Sequence, residues 1–170
     1  MGIFWTIQSA AKWEEVKKIG YLIGVHEQIW PEFVEPYLWM MEQMKSKIKN
    51  YDQAEYPVWV WTNRPDLRRS GHLNKGERGV LLKIDIDDDR ILLSDFQAWH
   101  FVLDGVYCNI EAKEENELNL SSKSIKESWK KIFDLNDLAN NPDWGECIIQ
   151  GVAGKILLHE ITFAKEFTAR

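Results

Sequence analysis

PVWVWTNRPDLRRSGHLNKGERGVLLKIDI, residues 57–86, places two apolar segments on either side of a strongly basic one. The first segment alternates, with Trp59 and Trp61 separated by a valine, and this pattern predicts a β-strand with two different faces. The last segment, residues 79–86, is rich in β-branched and apolar residues and predicts a second strand. Because these strands and those that follow lie close together in the chain, we predict a mostly antiparallel sheet.

The segments outside this stretch add helices and further strands. Residues 3–8, IFWTIQ, predict an opening strand, after which Ser9 and Gly20 mark the start and the end of a helix. Pro31 and the helical spacing of the apolar side chains that follow it predict a longer helix. No repeat, low-complexity tract or Pro/Gly-rich linker divides the chain. We therefore predict that residues 1–170 form a single α+β domain with helices packed against the sheet.

Periodicity also predicts which side chains are buried. Ser94 and Gln97 have the spacing of a capping box, which predicts that Ser94 caps the helix carrying Phe96 and Trp99. The nine tryptophans are expected to lie mainly in the core, although such an excess also suits a protein that stacks planar rings. The predicted core comprises Phe33, Tyr37, Met44, Val60, Leu82, Ile84, Phe96, Trp99, Trp129 and Ile148.

The overall composition argues against several classes of protein. A net charge of -6 disfavours a general nucleic-acid binder, although a local basic segment could still contact a phosphate backbone. Cys108 and Cys147 lack the spacing of a disulfide framework, and the four histidines show no metal-ligand spacing, so no metal site is predicted. No apolar run approaches the roughly 18 residues of a membrane span, and the first residues lack the pattern of a signal peptide. We expect a cytoplasmic protein with no membrane partner.

The basic segment, residues 63–79, is the densest cluster of cations in an acidic chain. Arginine side chains bind phosphate and carboxylate groups through paired hydrogen bonds. Two interpretations stay open. In the first, Asp66 pairs with Arg68 or Arg69 and the segment is simply a turn. In the second, Arg64 and Arg68 bind the anionic group of a ligand whose ring stacks on a neighbouring aromatic side chain.

A second polar pattern occurs near the end of the chain, in WGECIIQG, residues 144–151. The apolar residues predict a strand, and alternation along it would place Glu146, Ile148 and Gln150 on one face. Polar side chains at the ends of an otherwise apolar strand lie either at an exposed sheet edge or in a pocket. The pattern does not decide between these two positions.

Several motifs together resemble a bacterial family known only as a domain of unknown function. The resemblance covers nearly the whole chain, and the family name implies no activity. The motifs are WTIQ at residues 5–8, WMMEQM at 39–44, PVWVW at 57–61, RPDLR at 64–68 and LLSDFQAWH at 92–100.

The order of the elements also resembles that of the ADP-ribosyltransferase superfamily. An opening strand with an aromatic residue and a threonine, a helical stretch, an aromatic strand, paired central strands and a late strand beginning at a glutamate follow one another in both. The histidine or arginine usual in the first strand is absent here, tryptophan replaces the tyrosine or serine of the second motif, and no Gln-x-Glu or Glu-x-Glu pair is present.

The second resemblance implies an enzyme that cleaves NAD, its substrate, and transfers ADP-ribose to a macromolecular target. Glu146 would be the catalytic carboxylate that stabilises an oxocarbenium-like transition state. The implied substrate-binding residues are Trp5, Thr6, Trp59, Trp61, Arg64, Arg68 and Gln150. The alternative function is a non-enzymatic ligand- or partner-binding module that uses the RPDLRR loop.

Overall fold

The computed structural model describes residues 1–110 and 120–170. These residues have an α+β fold, as predicted. The helices are α1 (Ala10–Ile19), α2 (Val34–Lys47), α3 (Phe96–Leu103), α4 (Ser122–Ser128) and α5 (Leu135–Asn140). The strands are β1 (Gly2–Ser9), β2 (Tyr21–Leu22), β3 (Val58–Trp61), β4 (Arg78–Ile86), β5 (Ile91–Asp95), β6 (Ile149–Ala153), β7 (Ile156–Leu157) and β8 (Ile161–Thr168).

In the described part of the chain, six strands form one sheet in the order β5-β6-β3-β1-β4-β8, and β2 pairs separately with β7. Strand β1 is antiparallel to both β3 and β4, and β4 is antiparallel to β8. The two strands predicted on either side of the basic segment are therefore not direct neighbours. The opening strand β1 lies between them.

The described chain divides into two compact units. The first unit contains residues 1–28, 41–92 and 151–170. The second unit contains residues 29–40 and 93–150. Each unit is built from separate stretches of the chain. The expectation of a single domain stays a prediction.

The first unit buries one face of its central strands. Alternate residues of β1, β3 and β4 point to this face, and each of them is at most 6% exposed: Phe4, Thr6, Val58, Val60, Leu82 and Ile84. Trp59 and Trp61 point the other way and are only half-buried. The prediction that the strand with Trp59 and Trp61, β3, has two different faces is confirmed. The pleat of a strand sends successive side chains to opposite sides.

The second unit has an aromatic core. The Trp39 ring lies edge-on to Trp129, with ring centroids 5.4 Å apart, and stacks on Phe133 at 5.8 Å. Trp99 and Trp129 are buried, as predicted. The prediction for Ile148 is wrong: this side chain is 36% exposed because the strand begins only at Ile149.

The helix ends follow local chemistry. Ser9 caps α1 by accepting a hydrogen bond from the Lys12 amide, as expected. The cap of α3 differs from the prediction, because it is Asp95, and Ser94 lies within β5. The Asp95 carboxylate accepts hydrogen bonds from the amides of Ala98 (2.8 Å) and Ile148 (3.1 Å). Its two oxygens satisfy two backbone donors, which a single hydroxyl oxygen does less well.

Candidate functional site

Three tryptophans share the less buried face of the first unit's central strands. Trp5 of β1 lies directly opposite Trp61 of β3. Side chains of directly opposed residues in antiparallel strands point to the same side, and alternation along β3 places Trp59 on that side too. We call the surface formed by Trp5, Trp59 and Trp61 the tryptophan face. Its three side chains are half-buried.

Arg64, at the start of the basic segment, lies over the tryptophan face. Its guanidinium carbon is 5.4 Å from the centroid of the Trp5 ring, which is the distance of a cation–π contact. The Arg64 side chain is exposed. Within residues 1–110 and 120–170 it forms no salt bridge, so its hydrogen-bond donors are available to a ligand.

Arg68 has a different environment, because Asp66 engages its guanidinium. Nε and Nη2 of Arg68 donate to the two carboxylate oxygens of Asp66, both at 2.9 Å. The Asp66 carboxylate also accepts from the Arg68 amide, while its backbone carbonyl accepts from the Arg69 amide. The hydrogen bond from the Arg68 side chain holds the pKa of Asp66 well below its usual value. The turn interpretation therefore describes Arg68, while Arg64 is the cation on the tryptophan face.

The C-terminal end of the basic segment packs against the sheet and is hydrogen-bonded to the residue that follows β8. Gly76 and Glu77 exchange backbone hydrogen bonds with Ala169 at 2.9 and 2.8 Å. A Cβ atom on Gly79 would lie 2.6 Å from Leu73 and 2.7 Å from the Phe167 ring, so any larger residue would force these side chains to shift. These contacts give the basic segment a defined position on the sheet.

Thr6 faces away from the tryptophan face. Its hydroxyl donates to the Trp59 carbonyl at 2.8 Å and accepts from Gln8 Nε2 at 3.0 Å. The side chain is 1% exposed. Thr6 thus links β1 to β3 beneath Trp5 and Trp59, and its predicted role in binding substrate stays a prediction.

Glu146 and Gln150 belong to the second unit, whereas the other predicted site residues belong to the first. Glu146 is exposed and precedes β6. In the described part of the chain its carboxylate has no hydrogen bond or salt bridge. Gln150 lies within β6, is 4% exposed, and its Nε2 has no hydrogen-bond partner among the described residues.

The shared face predicted for residues 146–150 is wrong. Residues 145–148 do not form a strand. The Ile148 amide donates to Asp95, and the Ile148 carbonyl accepts from the Phe96 amide at 2.8 Å. These bonds tie the segment to the start of α3, so strict alternation begins only with Ile149. The acid at the N-cap position of α3 was the sequence signal that could have shown this.

A polar cavity of about 350 Å³ in the first unit was not predicted. Its lining charges other than Asp87 are engaged in pairs. Lys155 donates to Glu55 from both its amide and its ammonium group, at 2.8 and 2.9 Å. Arg90 forms a salt bridge with Glu160 and donates to the Lys155 carbonyl at 2.9 Å. We interpret this cavity as a structural network that holds the turn around residues 153–155.

A family model described as a domain of unknown function (DUF3841) matches residues 3–123. The chain belongs to the DUF3841 family. The predicted membership of a family of unknown function is therefore confirmed, although the match ends at residue 123 and does not extend over nearly the whole chain. It includes the tryptophan face and the basic segment but neither Glu146 nor Gln150. No curated protein and no solved structure matched.

Two further findings concern only residues 1–110 and 120–170. No group of three or more histidine, cysteine, aspartate or glutamate side chains is arranged to hold a metal ion there. None of the helices in these residues combines the length and the apolar character needed to cross a bilayer.

Proposed function

We propose that this DUF3841 protein binds a phosphorylated ligand with a planar aromatic ring, of the nucleotide class, on the tryptophan face. The observation that carries the proposal is the position of the Arg64 guanidinium over the Trp5 ring, next to Trp61. Stacking of a base on an aromatic side chain is worth about 1–3 kcal/mol. An exposed guanidinium without an acidic partner adds a bidentate contact for phosphate.

The differing environments of the arginines support this choice. Arg68 pairs with Asp66, and Arg78 pairs with Glu166 on β8. An arginine that already shares its donors with a carboxylate has less to offer a ligand. Arg64 combines exposure, an aromatic neighbour and unshared donors, which is why we assign the ligand contact to it.

The test is a thermal-shift panel of AMP, NAD, a sugar phosphate and a short single-stranded RNA. A ligand at one hundred times its Kd raises the free energy of unfolding by about 2.7 kcal/mol, so binding is visible as a higher Tm. We expect at least one nucleotide to stabilise the protein and Arg64→Ala to remove the shift. Arg69→Ala, an exposed arginine of the same segment, is the matched control. A shift that persists in Arg64→Ala would place the ligand elsewhere.

The transferase reaction implied by the resemblance is a second candidate. Two of its implied motifs lie on β1 and β3 of the first unit, whereas Glu146 precedes β6 and belongs to the second unit. In that reaction the bond between ribose and nicotinamide breaks, nicotinamide leaves, and the ribose carbon bonds to a nucleophile of the target. Glu146 is the proposed carboxylate that stabilises the positive charge on the ribose.

This second candidate is tested by nicotinamide release from NAD in the presence of cell lysate. We expect Glu146→Gln to lower the rate at least about 100-fold, since transition-state charge stabilisation of this kind contributes about that much. Asp143→Asn, another exposed acid nearby in the sequence, should leave the rate unchanged. If the wild-type protein releases no nicotinamide, the transferase candidate is excluded and only the binding function remains as a proposal.

A further inference from the structure

Lys83 of β4 extends the tryptophan face by one strand. The registers place Trp5 opposite both Trp61 of β3 and Lys83 of β4. On its other side, Lys83 lies opposite Thr162 of β8. A row of side chains therefore crosses four neighbouring strands in the order Trp61, Trp5, Lys83 and Thr162, all on one side of the sheet.

Lys83 adds a second cation to the tryptophan face. The side chain is half-buried, and within residues 1–110 and 120–170 it has no hydrogen bond or salt bridge. Asp85 is the acid nearest to Lys83 along β4, and alternation places it on the same face, about 7 Å away along the strand. An ammonium group that forms no salt bridge keeps its three hydrogen-bond donors for a bound anion.

We propose, on the basis of the binding function above, that Lys83 holds the phosphate of a nucleotide whose base lies towards Trp61. Neighbouring strands are about 4.8 Å apart, so Trp61 and Lys83 are separated by about 10 Å across the sheet. One nucleotide spans that length from its base to its 5′-phosphate. The ligand then lies across the strands, with Arg64 above its middle.

This arrangement assigns different tasks to the two cations. Arg64 contacts an aromatic ring and serves the stacked part of the ligand as well as its charge. Lysine is a compact point charge without a stacking plane, so Lys83 contributes only where the ligand is anionic. A substitution of Lys83 should therefore change the affinity for a nucleotide and leave the affinity for the corresponding nucleoside unchanged.

The experiment measures the Kd of AMP and of adenosine by calorimetry for the wild-type protein and four variants, Lys83→Met, Lys83→Arg, Asp85→Asn and Arg64→Ala. We expect Lys83→Met to weaken AMP binding about 10-fold, which corresponds to about 1.4 kcal/mol, and to leave adenosine unchanged. Lys83→Arg should retain most of the preference for AMP. Asp85→Asn, on the same strand and face, is the matched control and should bind AMP at least as tightly as the wild type.

The outcomes separate this inference from the proposed function. If the wild type binds neither compound while another member of the thermal-shift panel raises its Tm, only the assignment of Lys83 is overturned; if no member of the panel binds, both are overturned. If Arg64→Ala abolishes AMP binding while Lys83→Met keeps the wild-type ratio of AMP to adenosine affinity, only the role of Lys83 is overturned. Circular dichroism of each variant shows that the fold is retained.

Discussion

The guanidinium of Arg68 and the carboxylate of Asp66 meet edge to edge, with two hydrogen bonds of 2.9 Å. The same carboxylate accepts the Arg68 amide at 3.0 Å, so one side chain closes both the ion pair and the turn. The pKa of Asp66 is lowered by the hydrogen bond from the Arg68 side chain, which keeps the pair ionised at every pH where trypsin is active.

We expect Asp66→Asn to loosen the basic segment, because the neutral amide keeps the turn acceptor but loses the ion pair. Trypsin should then cleave faster after Arg68 and Arg69, as measured by mass spectrometry of the fragments. Asp143→Asn, far from the segment in sequence, is the control. Equal cleavage rates for the wild type and Asp66→Asn would show that the fastening at Gly76 and Gly79 alone holds the segment.

Two core substitutions test the packing of each unit. Leu82 is fully buried in the first unit, and Leu82→Ala should lower the free energy of unfolding by about 2–5 kcal/mol. Trp129 is buried in the second unit and donates to the Val106 carbonyl at 2.8 Å, so Trp129→Ala should cost about 3–5 kcal/mol. Urea denaturation followed by circular dichroism measures both. Ile148→Ala, at a half-exposed side chain, is the control and should lower the free energy of unfolding by about 1 kcal/mol or less.

The salt bridge between Arg90 and Glu160 should make stability depend on pH. Burial alone would raise the pKa of Glu160, but the hydrogen bonds from Arg90 and from the Leu157 amide outweigh burial and lower it. Because the pKa of Glu160 is lowered, the contribution of the salt bridge to the free energy of unfolding is complete above the unfolded-state pKa, near 4.3. This contribution is lost as the pH falls through the folded-state pKa of Glu160.

Glu160→Gln should therefore lower the free energy of unfolding by about 1.5–3 kcal/mol at pH 7, the usual worth of hydrogen bonds to a charged group. The difference from the wild type should shrink below about pH 4. Asp89→Asn removes the more exposed pair with Lys49 and should cost about 0–1 kcal/mol. A difference for Glu160→Gln that stays constant down to pH 3 would contradict the assignment.

The two cysteines should react slowly in the folded protein. Burial raises the pKa of Cys108 to about 11. Burial, followed by the hydrogen bond to Asp95 and its negative charge, raises the pKa of Cys147 to about 11. Only the thiolate reacts with iodoacetamide, so the alkylation rate should keep rising towards pH 11.

The measurement uses Cys108→Ser to isolate Cys147, with the same protein unfolded in urea as the control. The unfolded chain should show the usual thiol pKa near 8.5. A rate that levels off near pH 8.5 in the folded protein would mean that neither burial nor Asp95 raises the pKa of the Cys147 thiol.

Much of the fold could be predicted because its signals are local. The alternation over residues 58–61, the serine before α1 and the glycine after it are each contained within a few residues. The prediction of Ser94 as a cap failed because Asp95, one residue later, offers two acceptor oxygens to Ala98 and Ile148. The prediction that Glu146 and Ile148 share one face of a strand failed because the Ile148 amide is hydrogen-bonded to Asp95, and the strand begins only at Ile149.

The sequence by itself determined the α+β class, the two-faced strand with its tryptophans and the presence of a cationic segment beside it. It did so because side-chain period and turn chemistry act over short distances. Only the tertiary structure decided that Trp5 stands between Trp61 and Lys83, and that Arg64 rather than Arg68 lies over the indole ring. Strand register and the choice of an ion-pair partner depend on residues far apart in the chain, and no local pattern contains them.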